Sequence, residues 1–207
     1  ELIRKIDRVS IKTLEDCMQD VFEDGPKRDR RLWIGDLRLE ALVNYATFKN
    51  YDLVKRCLYL FAGTRLANGA VGACLFTEPY TIVDDLYLYD YALFFVPILL
   101  DYFQESNDRE TALELWDVAY KQLEIAIGET DENNVVIDGG DSFWCFIDWK
   151  DGLNKQASAQ AVLIYCMKCG IELGKLLGKD VSYLEQKLDD VISAAKEILW
   201  DEEQKFF

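Results

Sequence analysis

The chain has 207 residues, half of them hydrophobic and 13% aromatic, which is enough to bury one domain-sized core and argues against disorder. Its 38 acidic residues outnumber its 23 basic ones, and a net charge of -15 repels phosphate backbones and anionic lipid headgroups alike, so neither nucleic acid nor a membrane surface is expected as a partner. No apolar run approaches the roughly 20 residues that a membrane-spanning helix needs, and no charged leader precedes an apolar core. A soluble, cytoplasmic protein is expected, with a periplasmic or secreted one left open because trimming removes a signal.

In chain order, Leu14, Cys17, Met18, Val21 and Phe22 recur at three- and four-residue steps and predict one face of a first helix, stopped by Gly25 and Pro26. The same periodicity predicts helices over 36–48, 52–67, 84–105, 108–127, 156–178 and 181–200, about seven in all, with Asp108 and Ser182 as N-caps. Strand signals are confined to Asn134 to Ile137 and Ser142 to Ile147, whose β-branched and aromatic clusters suit a short hairpin in a loop. The expected core is helix on helix.

Tight turns near Lys49 to Tyr51, Ser106 to Asn107 and Gly178 to Asp180 predict antiparallel neighbours. Three long connections, 24–35, 68–83 and 128–155, come between them, so in an up-and-down arrangement all three emerge at one end. They hold Asp24, Asp29, Trp33, Glu78, Tyr80, Asp138, Asp141, Phe143, Trp144, Asp148 and Trp149. Carboxylates beside aromatic rings suit sugars, whose C–H faces stack on rings while their hydroxyls need acceptors and the scissile bond needs a proton donor. A loop buried by a partner protein has a similar composition.

Cys17, Cys57, Cys74, Cys145, Cys166 and Cys169 lack the spacing of a disulfide scaffold and read as reduced, buried thiols. Cys166 and Cys169 form a C-x-x-C inside a helical pattern, but with no second pair and no histidine in the chain no metal site is expected. No phosphate-binding glycine loop is present, and no cofactor is expected.

The segment Asp24-Gly25-Pro26-Lys27-Arg28-Asp29-Arg30-Arg31-Leu32-Trp33-Ile34-Gly35-Asp36 packs three acids, four bases and a tryptophan into a loop entering a helix. Asp36 has a structural reading, capping the N–H groups at the start of the second helix. Asp29 lies between two arginines with no helix to cap, so its role is ion pairing or chemistry.

This segment resembles the signature of the bacterial α-L-rhamnosidases of glycoside hydrolase family 78, in which an Asp-x-Pro-x-Arg-acid-Arg run leads to Trp-x-Gly-Asp. Asp24, Pro26, Arg28, Asp29, Arg30, Trp33, Gly35 and Asp36 match it. The resemblance implies an all-α fold, the six-hairpin (α/α)6 barrel, with residues 1–207 as a single domain forming its N-terminal part, incomplete at about seven helices. It implies that Asp24 and Arg28 hold sugar hydroxyls, that Asp29 is the proton donor although many members have glutamate there, and that Asp36 and Trp33 line the same pocket. Phe143 to Trp149 resembles the family's aromatic and acidic pocket wall, with Trp144, Asp148 and Trp149 as substrate contacts; packing as a loop anchor is the competing reading for each tryptophan.

The implied function is removal of terminal α-L-rhamnose from glycosides or polysaccharides with inversion. The resemblance places the second carboxylate beyond Phe207, so the chain reads as a fragment that is inactive alone and self-associates through exposed helix faces. Three alternatives stay open at this stage: another six-hairpin hydrolase or lyase acting on a sugar such as a uronic acid, a sugar-binding relative without turnover, and a helical interaction module.

Overall fold

The computed structural model describes residues 1–84, 86–140, 143–150 and 152–207. Helix α1 spans Leu2–Cys17 and buries only Leu14 and Cys17. It stops well short of Gly25 and Pro26, because residues 18–22 turn back in a tight loop bridged between Met18 and Phe22. Val21 and Phe22 are buried as the periodicity requires, but the turn delivers them to the core.

Six further helices follow the expected order, with one interrupted: α2 (Ile34–Ala46), α3 (Tyr51–Gly63), α4 and α5 (Tyr89–Leu93 and Phe95–Ser106), α6 (Arg109–Gly128), α7 (Gln156–Leu177) and α8 (Ser182–Ala194), which continues as a π-helical turn over Ala195–Leu199. The segment expected to be helical from residue 84 does not become so until Tyr89. Its first residues are drawn into extended pairing, with Leu86 O accepting from Ala73 N and Tyr89 N donating to Trp144 O, both at 2.9 Å. The break at Phe94 lies three residues before Pro97, which has no N–H to give the carbonyl of Leu93.

Asp108 caps α6, accepting from Thr111 N at 3.1 Å. Ser182 does not cap α8. It is the first helical residue, and Asp180 in the preceding turn accepts its N–H at 3.0 Å and its hydroxyl at 2.6 Å. Asn107 and Gly178 end α5 and α7 in the left-handed region (φ 57° and 76°), which reverses the chain in the short connections.

Helices α2, α5 and α7, which follow long loops, pack side by side, and each is backed by the helix after it: α3, α6 and α8. This is a paired-helix arrangement in two layers. Gly170 lets α7 approach α6 closely, since a Cβ there would fall 2.5 Å from Leu123 Cδ1.

A three-stranded antiparallel sheet, absent from the sequence reading, joins the first two long loops. Strand β1 (Leu32–Trp33) pairs with β2 (Cys74–Phe76), and β2 with β3 (Ile82–Val83), in the register Leu32 to Leu75 and Leu75 to Val83. The expected hairpin in the third loop is reduced to one bridge, Thr130 to Val136. Phe143 to Ile147 belongs to no strand, and Ser142 lies outside the described residues. No helix among the described residues is long and apolar enough to cross a membrane. All six cysteines are free and buried.

Candidate active site

The loop that carries the dense charges is pinned at its ends. Asp24 N donates to Arg31 O at 2.9 Å, and Arg31 N donates back to Asp24 Oδ1 at 3.2 Å. With these ends tied, residues 26–30 make the turn at the surface, helped by Arg28 N donating to Gly25 O and by Arg30 in the left-handed region at φ 55°. Asp24 points the other way. Its side chain is 1% exposed, Oδ2 has no hydrogen-bond partner among the described residues, and the Arg28 Nε lies 3.7 Å from it.

Asp24 belongs to the lining of a cavity of about 330 Å³, whose polar wall is Asp24, Arg28 and Asp36 and whose aromatic wall is Trp33, Tyr91, Trp144, Phe146 and Trp149. Trp33 comes from β1 and Asp36 from the first turn of α2, so the sheet fixes where this helix begins. Between them Gly35 makes room for Tyr91, whose ring lies where a Cβ would sit, 2.5 Å from Cζ and 2.7 Å from Cε1. Tyr91 then meets Trp33 edge-on at 6.2 Å between ring centres and Phe146 at 5.2 Å.

The third loop reaches the cavity because α4 holds its backbone. The fully buried Asp90 carboxylate accepts from Phe146 N at 3.0 Å and Ile147 N at 3.1 Å, as well as from Tyr91 N at 3.0 Å. Lys155 Nζ donates to Cys145 O at 2.8 Å, completing the anchorage. The loop thereby presents Trp144, Phe146 and Trp149 as a cluster, with Trp149 centred 6.0 Å from Trp144 and 5.8 Å from Phe146.

Burial pushes the Asp36 carboxyl above its ordinary range, the charge of Asp24 adds to this, and Arg28 opposes it. One turn along α2, Glu40 is pushed up to about 8 by burial first and then by Asp36 and Asp24; its Oε2 is buried without a hydrogen-bond partner among the described residues. Asp24 and Asp36 lie in the cavity wall, with Glu40 one turn along α2, and burial raises the carboxyls of Asp36 and Glu40. The wall acids can accept hydrogen bonds from hydroxyls.

Of the residues expected from sequence, Asp24, Arg28, Trp33, Asp36, Trp144 and Trp149 line this one cavity. Asp36 is not the capping residue, which is Trp33 without a side-chain bond, but it lies in the first turn of α2, where its carboxylate accepts from its own backbone N–H. Trp144 and Trp149 are 49% and 58% exposed, too open for packed loop anchors. Asp29 and Asp148 are not in the lining. Asp29 stands on the outer turn of the loop, half exposed, with Oδ2 3.7 Å from Arg31 Nε. Asp148 is exposed, and its Oδ1 accepts from Trp149 N at 2.5 Å. Glu78, Tyr80 and Asp138 lie elsewhere in the loops, and Asp141 is outside the described residues. Sequence reasoning missed Tyr91, Leu86 and Leu88 as lining residues and Asp90 as the loop's anchor; Asp90 amid apolar and aromatic residues was the one signal available, since a buried carboxylate needs donors.

The profile of the bacterial alpha-L-rhamnosidase six-hairpin glycosidase domain matches residues 1–205. A rhamnosidase from Klebsiella oxytoca, solved with rhamnose bound, is 52% identical over 97% of this chain and 39% of that one, with a TM-score of 0.93. A family GH78 rhamnosidase from a Bacillus species is 22% identical over 95% of this chain and 20% of its own, at a TM-score of 0.82. A GH63 mannosylglycerate hydrolase from Thermus thermophilus shares the fold at 12% identity and a TM-score of 0.70, over 95% of this chain and 64% of its own. Comparison with curated proteins gives no match. The chain thus spans 39% and 20% of the two rhamnosidases it resembles, and with its paired helices and matched profile it belongs to the bacterial alpha-L-rhamnosidase six-hairpin glycosidase domain family.

Proposed function

We propose that the protein carrying this chain is a glycosidase that removes a terminal α-L-rhamnosyl group, and that the cavity at Asp24 holds the sugar. The observation that carries this reading is the buried Asp24 carboxylate in the wall of an aromatic-lined cavity, with one oxygen that faces Arg28 Nε at 3.7 Å and has no hydrogen-bond partner among the described residues. A carboxylate so enclosed is costly unless a ligand donates to it, and sugar hydroxyls are suited donors. The volume, near the lower end of small-molecule pockets, suits one sugar ring. The rhamnose in the Klebsiella relative supports the choice of sugar.

In this reading Asp24, Asp36 and Arg28 bind hydroxyls, and the aromatic wall takes the C–H faces. The scissile bond then points out of the cavity, toward the loop tip where Asp29 stands. Asp29 gives its proton to the departing glycosidic oxygen as the C–O bond breaks. A second carboxylate, about 6.5–9.5 Å away and supplied from outside residues 1–207, takes a proton from the water that attacks the opposite face, giving inversion. Residues 1–207 alone would then be inactive, and exposed Leu39 and Val43 on α2 favour association of isolated copies.

The test is release of aryl alcohol from a panel of aryl glycosides by the full-length protein and its Asp29→Asn variant. Cleavage confined to the α-L-rhamnoside, reduced by about 10²–10⁴ in the variant, is the expected result. Rhamnose binding without cleavage of any glycoside would make this a sugar-binding relative and sink the enzymatic reading.

A further inference from the structure

A second, open cavity of about 910 Å³ adjoins the first, and the two share Leu86 and Trp144 in their linings. Its other walls include Asp84, Tyr87, Glu129 and Phe143. Trp144 therefore stands between a cavity of single-sugar size and one with room for a larger group. The polar groups of the second cavity are of one kind. Asp84 is already engaged, with Oδ2 3.6 Å from Arg31 Nη1, whereas Glu129 is hydrogen-bonded to the Tyr87 hydroxyl and burial pushes its carboxyl above the ordinary range. None of the described residues lining it is a lysine or arginine.

Resting on the function proposed above, we propose that this second cavity receives the leaving group of the rhamnoside, and that it is built for an uncharged, hydroxyl-bearing sugar or aryl group and against a uronic acid. Phe143 and Trp144 offer ring faces to a sugar or aryl plane, and the Tyr87–Glu129 pair offers hydrogen bonds to hydroxyls. A uronate carboxylate entering here would meet acids, and the nearby Arg31 already faces Asp84 and Asp29, so it would lose its water without a free ionic partner. Glu129 is the residue that sets this preference, because its carboxyl stands in the wall where a uronate would need a cation.

The test uses the full-length protein and three substrates: methyl α-L-rhamnoside, a neutral rhamnosyl-glucose disaccharide and the corresponding rhamnosyl-uronic acid disaccharide. The two disaccharides are normalised to the methyl glycoside, whose leaving group is too small to fill the cavity. Wild-type kcat/KM is expected to favour the neutral disaccharide by about tenfold or more, and Glu129→Lys to narrow or invert that ratio. A wild-type ratio near one, or one favouring the uronic acid, overturns the proposal without any variant. So does an unchanged ratio in Glu129→Lys. Failure to cleave any of the three, methyl glycoside included, overturns the underlying glycosidase reading and this one with it, whereas cleavage without discrimination removes only the leaving-group assignment.

Discussion

Replacing Gly35 with alanine gives a sign test of how the cavity is built. In an ordinary helix the substitution stabilises by about 0.5–1 kcal/mol, because alanine loses less backbone entropy on folding. Here the added Cβ would sit 2.5 Å from Tyr91 Cζ and 2.7 Å from Cε1, and the third nearest atom also belongs to that ring. Tyr91 is wedged against Trp33 and Phe146 and is nearly buried, so it has nowhere to retreat. Overpacking of this kind costs about 1–3 kcal/mol, which lowers Tm by about 2–12 °C in a domain of this size. Tyr91→Ala should cost about 3–5 kcal/mol by itself, but in that background every close contact to position 35 is gone and Gly35→Ala should become neutral or stabilising. Thermal unfolding of the four proteins of this cycle, followed by circular dichroism, should give a coupling of about 1.5 kcal/mol or more. Stabilisation by Gly35→Ala alone, or coupling below about 0.5 kcal/mol, would refute the idea that glycine is there to seat Tyr91.

Asp90→Ala strips two loop amides of their acceptor and should cost about 3–5 kcal/mol, with faster proteolytic nicking at 143–150 and a red-shifted tryptophan emission; an unchanged emission would mean the loop is held by other bonds. Glu40 has a carboxyl raised from 4.5 to about 8, so the folded state binds more protons than the unfolded one between those values, and the stability it contributes is lost as pH rises through that window. Glu40→Gln should therefore flatten the decline in denaturant midpoint from pH 4.5 to 8, and an unaltered profile would place the proton elsewhere. Asp108 behaves oppositely, because Lys55 first and then Thr111 and Tyr102 hold its carboxyl well below the ordinary 3.8. Its stabilisation is present above that pH and lost below it, so the deficit of Asp108→Ala, about 1–2 kcal/mol from the cap, should shrink on acidification and persist at neutrality.

The helices were legible because each buries one stripe and the stripe repeats, and the tight turns followed from Asn107 and Gly178. What periodicity could not show was the competition for backbone at the loop ends. Residues 84–88 have the apolar content of a helix start, yet Leu86 and Tyr89 give their backbone groups to Ala73 and Trp144. Strands of two and three residues are too short to display a period of two, so the sheet that fixes Trp33 and the start of α2 left no pattern to read. Val21 and Phe22 show the same limit from the other side: their burial was legible, and the turn that achieves it was not.

The site was legible where one segment carries it and illegible where the chain returns to it. Asp24, Arg28, Trp33 and Asp36 are close in sequence and meet at one cavity, whereas Tyr91 arrives from a helix whose aromatic residues look like any core stripe. The separation of Asp29 from that cavity follows from the loop's own bonds. Tying Asp24 to Arg31 at both N–H groups turns Asp24 inward and leaves Asp29 on the outer turn. In the proposed reading the cavity encloses the terminal sugar, so the acids in its floor face ring hydroxyls and the departing oxygen falls to an acid outside the lining, as Asp29 is. The floor acids also suit binding better than proton delivery in turnover, since Asp24 is sealed from the solvent that must return the proton, while half-exposed Asp29 is not. On the proposal that Asp29 is the donor, Arg31, whose Nε lies 3.7 Å from its Oδ2 and which is not in the cavity lining, pairs with the carboxylate left after proton transfer, which makes Arg31→Gln a means of slowing the proposed reaction. The expected effect is a fall in kcat with little change in KM; a change confined to KM would place Arg31 in binding and remove this argument for Asp29.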